Sequence, residues 1–214
     1  MSKELSRRIL SSIILIPIVF FLIINKSNLF SYFLILTLII TFYEWNKICK
    51  KIMLKLFGFI YIIFSFYTAY RLVNFNDTYI YFLLIIILCI ATDIGGYVFG
   101  NLFKGPKLTH LSPKKTISGL IGGYILTFLA SIIFLHYYSL NENFSMNFVI
   151  FVFLISSVSQ LGDIFISYFK RLSKMKDTGK LIPGHGGLLD RIDGMIFALP
   201  FSYIILSTKI LKIF

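Results

Sequence analysis

Charge is scarce in this 214-residue chain: Asp, Glu, Lys and Arg make up 14% of it against 57% hydrophobic residues. Soluble domains average about 25% charged and about 45–50% apolar. With a mean hydropathy of +0.86, the composition leaves no room for a soluble domain and places the chain in a membrane. Cysteine is nearly absent, and Cys49 and Cys89 fall at different depths of separate apolar runs, which argues against a disulfide between them. No small-residue cleavage site follows the first apolar run, so that run, preceded by Lys3, Arg7 and Arg8, reads as a span and not as a secretory signal. No internal repeat is visible, which withholds support from an inverted-repeat transporter.

What is present is apolar sequence in lengths that cross a bilayer, about 20 residues each. Seven runs qualify, near 9–25, 29–44, 53–72, 78–99, 117–137, 147–169 and 192–213. They predict an all-α integral membrane protein, a single polytopic domain over 1–214 with about seven transmembrane helices. Assigning loops alternately to the two faces leaves only Lys26, Arg71, Lys209 and Lys212, of 21 Lys and Arg, opposite the N-terminus. By the positive-inside rule the N-terminus and the long basic loops are cytoplasmic. The net charge of +12 therefore reads as membrane topology, with no nucleic-acid partner. Trp45, Tyr137 and Tyr138 lie near span ends and are expected to be interfacial aromatic anchors.

Nine acidic residues remain, and two of them, Asp93 and Asp163, are embedded in apolar spans. A carboxylate at the bilayer centre costs about 2.5–3.5 kcal/mol, so each is a functional candidate first. Asp163, Ser167, Lys170 and Arg171 stand at i, i+4, i+7 and i+8 and share one helix face. At about 1.5 Å per residue, Asp163 lies roughly 10 Å below Lys170, and Asp93 about 12 Å below the loop that follows it. The expectation is a polar funnel open to the cytoplasm. Between the fourth and fifth runs, Ser112, Pro113, Lys114, Lys115 and Thr116 put hydroxyls and ammonium groups on a stiffened turn before a helix start, a pattern suited to phosphate oxygens. Lys104 and Lys107 read as ordinary basic loop.

The only strongly ionic segment is 167–193, SYFKRLSKMKDTGKLIPGHGGLLDRID. Its cations, carboxylates and glycines are what a site for polyphosphate and a metal needs. Asp190 and Asp193, at i and i+3, can share a helix face, and with Asp163 they offer three hard oxygens suited to Mg²⁺. His185, flanked by Gly184, Gly186 and Gly187, is either a phosphate or leaving-group contact or a turn stabiliser.

Ser167, Phe169, Lys170, Arg171, Lys176, Asp177, Gly179, Ile182, Pro183, His185, Gly186, Gly187, Leu188, Asp190, Arg191, Ile192 and Asp193 together resemble the signature of phosphatidate cytidylyltransferases, also called CDP-diacylglycerol synthases. Thr92, Asp93, Gly95, Gly96, Tyr97 and Gly100, then Leu111 to Thr116, Ser118, Gly119, Gly122 and Gly123, are similar to the same family. The likeness covers about the C-terminal 60% of the chain, with the motifs in about 90–195; the chain is shorter than typical bacterial members. The resemblance implies an Mg²⁺-dependent nucleotidyltransferase of the inner (plasma) membrane. It would take CMP from CTP (or dCTP) to phosphatidate, releasing pyrophosphate and CDP-diacylglycerol for phospholipid biosynthesis. It also implies a metal centre on Asp163, Asp190 and Asp193, and it is compatible with a homodimer. Catalytic work would fall to these acids with Lys170, Arg171 and Arg191. Substrate binding would fall to Asp93, Ser112, Lys114, Lys115, Thr116, Ser167, Lys176, Asp177, His185, Gly186 and Gly187.

Four rivals fit less of the pattern. A transporter or channel accounts for acids in spans but not for the glycine-histidine loop. The Asp-Gly then Ala-Arg signature of CDP-alcohol phosphotransferases is missing, since Met195 and Ile196 follow Asp193 and Gly194. A CTP-dependent lipid kinase, or a synthase acting on ether lipids, keeps most of the charge pattern and differs in its product. A structural membrane protein without catalysis is the remaining class.

Overall fold

The computed structural model describes residues 17–24, 28–109, 112, 115–138, 145–179, 181 and 186–211. Five long helices carry the architecture: α1 (Asn28–Ile48), α2 (Ile52–Val73), α3 (Ile80–Phe103), α4 (Ile117–Tyr137) and α5 (Met146–Leu172). One-turn α6 (Leu189–Ile192) and α7 (Met195–Thr208) follow. No strand forms among the described residues, only an isolated antiparallel bridge between Lys107 and Thr116. All five long helices are long and apolar enough to cross a membrane.

Their burial pattern inverts that of a soluble protein. Thr37, Thr41 and Glu44 of α1 are buried, at 9%, 0% and 2% exposure, while Leu36, Ile39 and Tyr43 of the same helix are exposed. Thr92, Thr127, Ser131, Ser156 and Ser202 are buried likewise. Polar groups turned inward and apolar groups turned outward are what a hydrocarbon solvent demands, because hydroxyls there need protein partners.

The expected span at 192–213 takes a different form. α7 has 14 residues with Pro200 inside it, about 21 Å of helix, and Asp193 and Gly194, which join it to α6, keep right-handed helical backbone angles. Lys209, in the left-handed conformation at φ 52°, stops it. Of the expected first span, residues 17–24 are helical and the remainder lies outside the described residues.

The chain divides into two compact units, Met1–Tyr79 with Phe169–Asp193, and Ile80–Tyr168 with Gly194–Phe214. In the first, α1 and α2 form a hairpin. A Cβ on Gly58 would meet the Trp45 indole at 2.1 Å; the indole N–H donates to the Lys55 carbonyl at 3.2 Å, and the ring packs on Phe169 with centroids 5.0 Å apart. Trp45 is 3% exposed, which corrects its reading as an interfacial anchor, whereas Tyr137 is 79% exposed.

In the second unit α3 and α4 approach backbone to backbone. A Cβ on Gly95 would lie 2.4 Å from the Gly122 carbonyl oxygen, and one on Gly119 would lie 2.6 Å from that of Gly96. Small residues at such contacts let van der Waals packing hold helices together in lipid. Buried hydroxyls add to it: Thr92 lies 2.7 Å from Thr127 and donates to Ser156 at 3.0 Å. Since backbone cannot yield as a flexible side chain can, Gly95→Ala is expected to cost about 1–3 kcal/mol and to lower the melting midpoint in detergent by roughly 3–10 °C. An unchanged midpoint would refute the close approach.

Candidate active site

In the first unit the ionic segment is organised around Asp190. Its Oδ1 accepts from the Lys170 ammonium at 2.8 Å. Its Oδ2 accepts from the Thr178 amide at 2.8 Å, the Thr178 hydroxyl at 3.0 Å and the Gly187 amide at 3.0 Å. The Lys170 and Asp190 side chains are only 10% and 6% exposed. Burial pushes the Asp190 carboxyl up, but the Lys170 hydrogen bond and charge, with the Gly187 and Thr178 amides, outweigh it and hold the carboxyl below its ordinary 3.8. Gly186 sits at φ 87°, a conformation that favours glycine, and a Cβ there would reach 2.9 Å from Asp190 Oδ2.

A second carboxylate shares this arrangement. Glu44 of α1 accepts from the Thr178 hydroxyl at 2.8 Å, the Leu188 amide at 3.0 Å and the Leu189 amide at 2.7 Å. A Cβ on Gly187 would come within 2.1 Å of Thr178 Oγ1 and 2.5 Å of Glu44 Oε2, and one on Gly179 within 2.5 Å of Glu44 Oε1. The glycines of the motif thus make room for a carboxylate from another helix. Sequence reasoning missed Glu44. The available signal was the polar stripe Thr37, Thr41, Glu44 at i, i+4 and i+7 on an otherwise apolar helix.

Around this cluster Arg171, Lys176, Asp177 and Arg191 are exposed. The Arg171 guanidinium donates to the Met175 carbonyl at 3.3 Å, closing the turn after α5, and Arg191 is engaged in its own interactions. Asp193 is buried at 7%. His185 and Lys114 lie outside the described residues.

In the second unit the Lys115 ammonium stands 2.5 Å from Asp163 Oδ2, both side chains about a quarter exposed. Ser167 donates to Asp163 Oδ1 at 3.3 Å. The loop that presents Lys115 is braced by its own backbone: Leu108 N–H to the Lys115 carbonyl, Lys115 N–H to that of Ser112, and Ile117 N–H to that of Pro106. Thr116 caps α4, its hydroxyl oxygen accepting from the Gly119 amide at 3.1 Å. Ser118 donates to the Lys104 carbonyl, so the Thr116 proton goes to Ser118, 2.9 Å away. The Thr116 hydroxyl is spent inside the loop, and the Lys115 ammonium is paired with Asp163. Asp93, on α3, is exposed and also engaged.

Among the described residues no three of His, Cys, Asp and Glu form a ready-made metal cage. The expected trio is divided, Asp190 and Asp193 in the first unit and Asp163 in the second.

The cytidylyltransferase family model matches residues 46–209. The phosphatidate cytidylyltransferase of Rickettsia bellii is 37% identical over 221 aligned positions, covering 95% of this chain and 91% of that protein. That of Rickettsia typhi is 35% identical over 201 positions, 90% of this chain and 88% of the relative. The match to the Staphylococcus haemolyticus enzyme, 43% identical over 116 residues, covers 54% of this chain and spans 44% of the relative.

Proposed function

Because this chain belongs to the cytidylyltransferase family, and is by that membership a nucleotidyltransferase, we propose that it transfers CMP from CTP to phosphatidate, releasing pyrophosphate and leaving CDP-diacylglycerol. One observation carries the reading at the level of residues. Lys170, in the last turn of α5, is held by Asp190 against a segment that two carboxylates and three glycines set in place. A lipid phosphate lies at the membrane surface and CTP arrives from water, so a cationic rim on spanning helices suits the meeting of the two. The excess of Lys and Arg on one set of loops supports a cytoplasmic rim at the plasma membrane.

The nucleophile is a phosphate oxygen of phosphatidate, attacking the α-phosphorus of CTP as the bond to the β-phosphate oxygen breaks. That oxygen is anionic at neutral pH and needs no strong base. The obstacle is repulsion between two polyanions. Lys170, Arg171, Lys176 and Arg191 offset that charge on phosphatidate and pyrophosphate, and Lys115 offsets it from the second unit. Asp177, Ser167 and the Gly186 and Gly187 backbone belong to the same binding surface in this reading, as do Ser112, Lys114 and His185.

We assign Mg²⁺ to Asp163, Asp190 and Asp193, whose hard oxygens are the right donors. Asp190 already accepts from Lys170 at Oδ1 and from Thr178 and Gly187 at Oδ2, so a metal there would share Oδ1 with the Lys170 ammonium. Bound Mg²⁺ would neutralise triphosphate charge and polarise the α-phosphoryl group.

Pyrophosphate release from CTP by purified protein, with and without phosphatidate and Mg²⁺, tests the reading. Release that requires both, with a CDP-lipid product, is expected. A phosphorylated lipid in its place would assign a lipid kinase. The chain has 16 Lys and only 5 Arg, two of them Arg171 and Arg191, and a guanidinium fork binds phosphate bidentately where an ammonium does not. Arg191→Lys is therefore expected to lower kcat/KM about tenfold or more, the loss of one charge-assisted bond, whereas Lys174→Ala keeps near-normal rates. Equal, near-normal rates for both would overturn the assignment.

A further inference from the structure

One buried acid from outside the motif packs against it. Glu44 is 2% exposed on an apolar helix, where a buried carboxylate is costly unless compensated. Among the described residues its compensation comes from neutral donors: the Thr178 hydroxyl and the Leu188 and Leu189 amides. These donors are 134 to 145 residues away in sequence, so the contact is purely tertiary. It lies two residues before the stretch that matches the family model.

We propose that Glu44 is a positioning residue for nucleotidyl transfer, fixing Thr178, Leu188 and Leu189 so that Asp190 can hold Lys170 at the reacting phosphates. The proposal rests on the function proposed above. The link is a short chain of atoms. Thr178 Oγ1 lies 2.8 Å from Glu44 Oε2 and 3.0 Å from Asp190 Oδ2. Asp190 in turn holds Lys170 through Oδ1. A hydroxyl has one proton to donate, so the Thr178 side chain bonds one carboxylate at a time while its backbone amide stays with Asp190. Glu44 and Asp190 therefore grip the same two stretches, 178 and 187–189, from opposite sides of one threonine. Gly179 and Gly187 keep that grip possible, because a side chain at either would occupy the space of the Glu44 oxygens.

Glu44→Gln keeps shape and volume but turns an amide NH₂ toward backbone donors, so one of the two loop amides loses its acceptor. Thr178→Val keeps Glu44 and both its backbone bonds but cuts the side-chain link to Asp190. Both are measured as full-length protein in detergent with CTP, Mg²⁺ and phosphatidate, with rates taken per folded molecule and hydrogen exchange followed at 187–189. For Glu44→Gln, kcat is expected to fall about 10- to 100-fold with KM for CTP within about threefold, since hydrogen bonds to a charged group are worth about 1.5–3 kcal/mol each. Exchange at Leu188 and Leu189 should quicken while α4 is unchanged. Thr178→Val should lose about 3- to 10-fold in kcat, again with KM preserved, and it decides the matter if Glu44→Gln does not fold. Full kcat in either folded variant overturns the proposal. So does a loss carried wholly by KM or by the folded fraction, and so does unaltered exchange at 187–189 in Glu44→Gln. A wild-type chain that releases no pyrophosphate from CTP overturns the functional reading itself. An active wild type with an equally active Glu44→Gln overturns only the role of Glu44.

Discussion

Asp190→Ala is expected to reduce CTP turnover about 100- to 1,000-fold and also to destabilise the protein. The two losses share a cause. Removing this carboxylate strands the Lys170 ammonium at a position 8% exposed and takes the acceptor from the Thr178 and Gly187 amides. Breaking a buried pair from one side costs about 3–5 kcal/mol, because the remaining charge is left uncompensated. Asp190→Asn separates the effects. Its amide oxygen can stay with Thr178 and Gly187 while its NH₂ faces Lys170, so the loop survives better than in the alanine variant but turnover falls as far. The pH dependence follows from the depressed carboxyl. A group held below its ordinary value contributes stability above that value and loses it as pH falls through the folded-state value. The gap in melting temperature between wild type and Asp190→Asn should therefore be flat from pH 8 to 5 and close only below the ordinary 3.8. Near-wild-type turnover in Asp190→Asn would remove Asp190 from the site.

Much of this architecture is legible from hydropathy. The expected runs at 29–44, 53–72, 78–99, 117–137 and 147–169 fall on α1 to α5, one with both ends matched and the others with ends shifted by one to four residues, because span length is imposed by the bilayer and written in composition. In the seventh run averaged hydropathy is blind to the close packing at Gly194, where a Cβ would meet Ser159 Oγ, and to the left-handed stop at Lys209. Trp45 misled: its place near a span end said interface, but its indole fills the space left by Gly58. Within the ionic segment, proximity in sequence pointed to Lys170 and Asp190. It did not reveal that they bond each other, nor that Glu44, more than 130 residues earlier, completes the arrangement. Tertiary compensation of a buried acid leaves no local pattern beyond the inward polar stripe of α1, and only packing identifies its partner.

The largest effect expected with little change in stability belongs to Asp163→Asn. Its pair with Lys115 is about a quarter exposed on both sides, and pairs open to solvent contribute about 0–1 kcal/mol. Loss of the charge should move the melting midpoint by no more than a few degrees. Activity responds to a different quantity. If Asp163 is one of three oxygens for Mg²⁺, losing its charge forfeits several kcal/mol of charge stabilisation in the transition state, and about 4 kcal/mol corresponds to about 1,000-fold in rate. Lys115→Ala serves as the counterpart. It removes the cation and leaves Asp163 with its Ser167 bond, so it should raise KM for CTP, about tenfold for one lost phosphate contact, without abolishing turnover. The two variants thus separate a residue that holds charge at the reacting phosphorus from one that gathers the substrate. Full Mg²⁺-dependent turnover in Asp163→Asn, at unchanged stability, would leave the Lys115 pair as an ordinary surface contact and the acid trio without its third member.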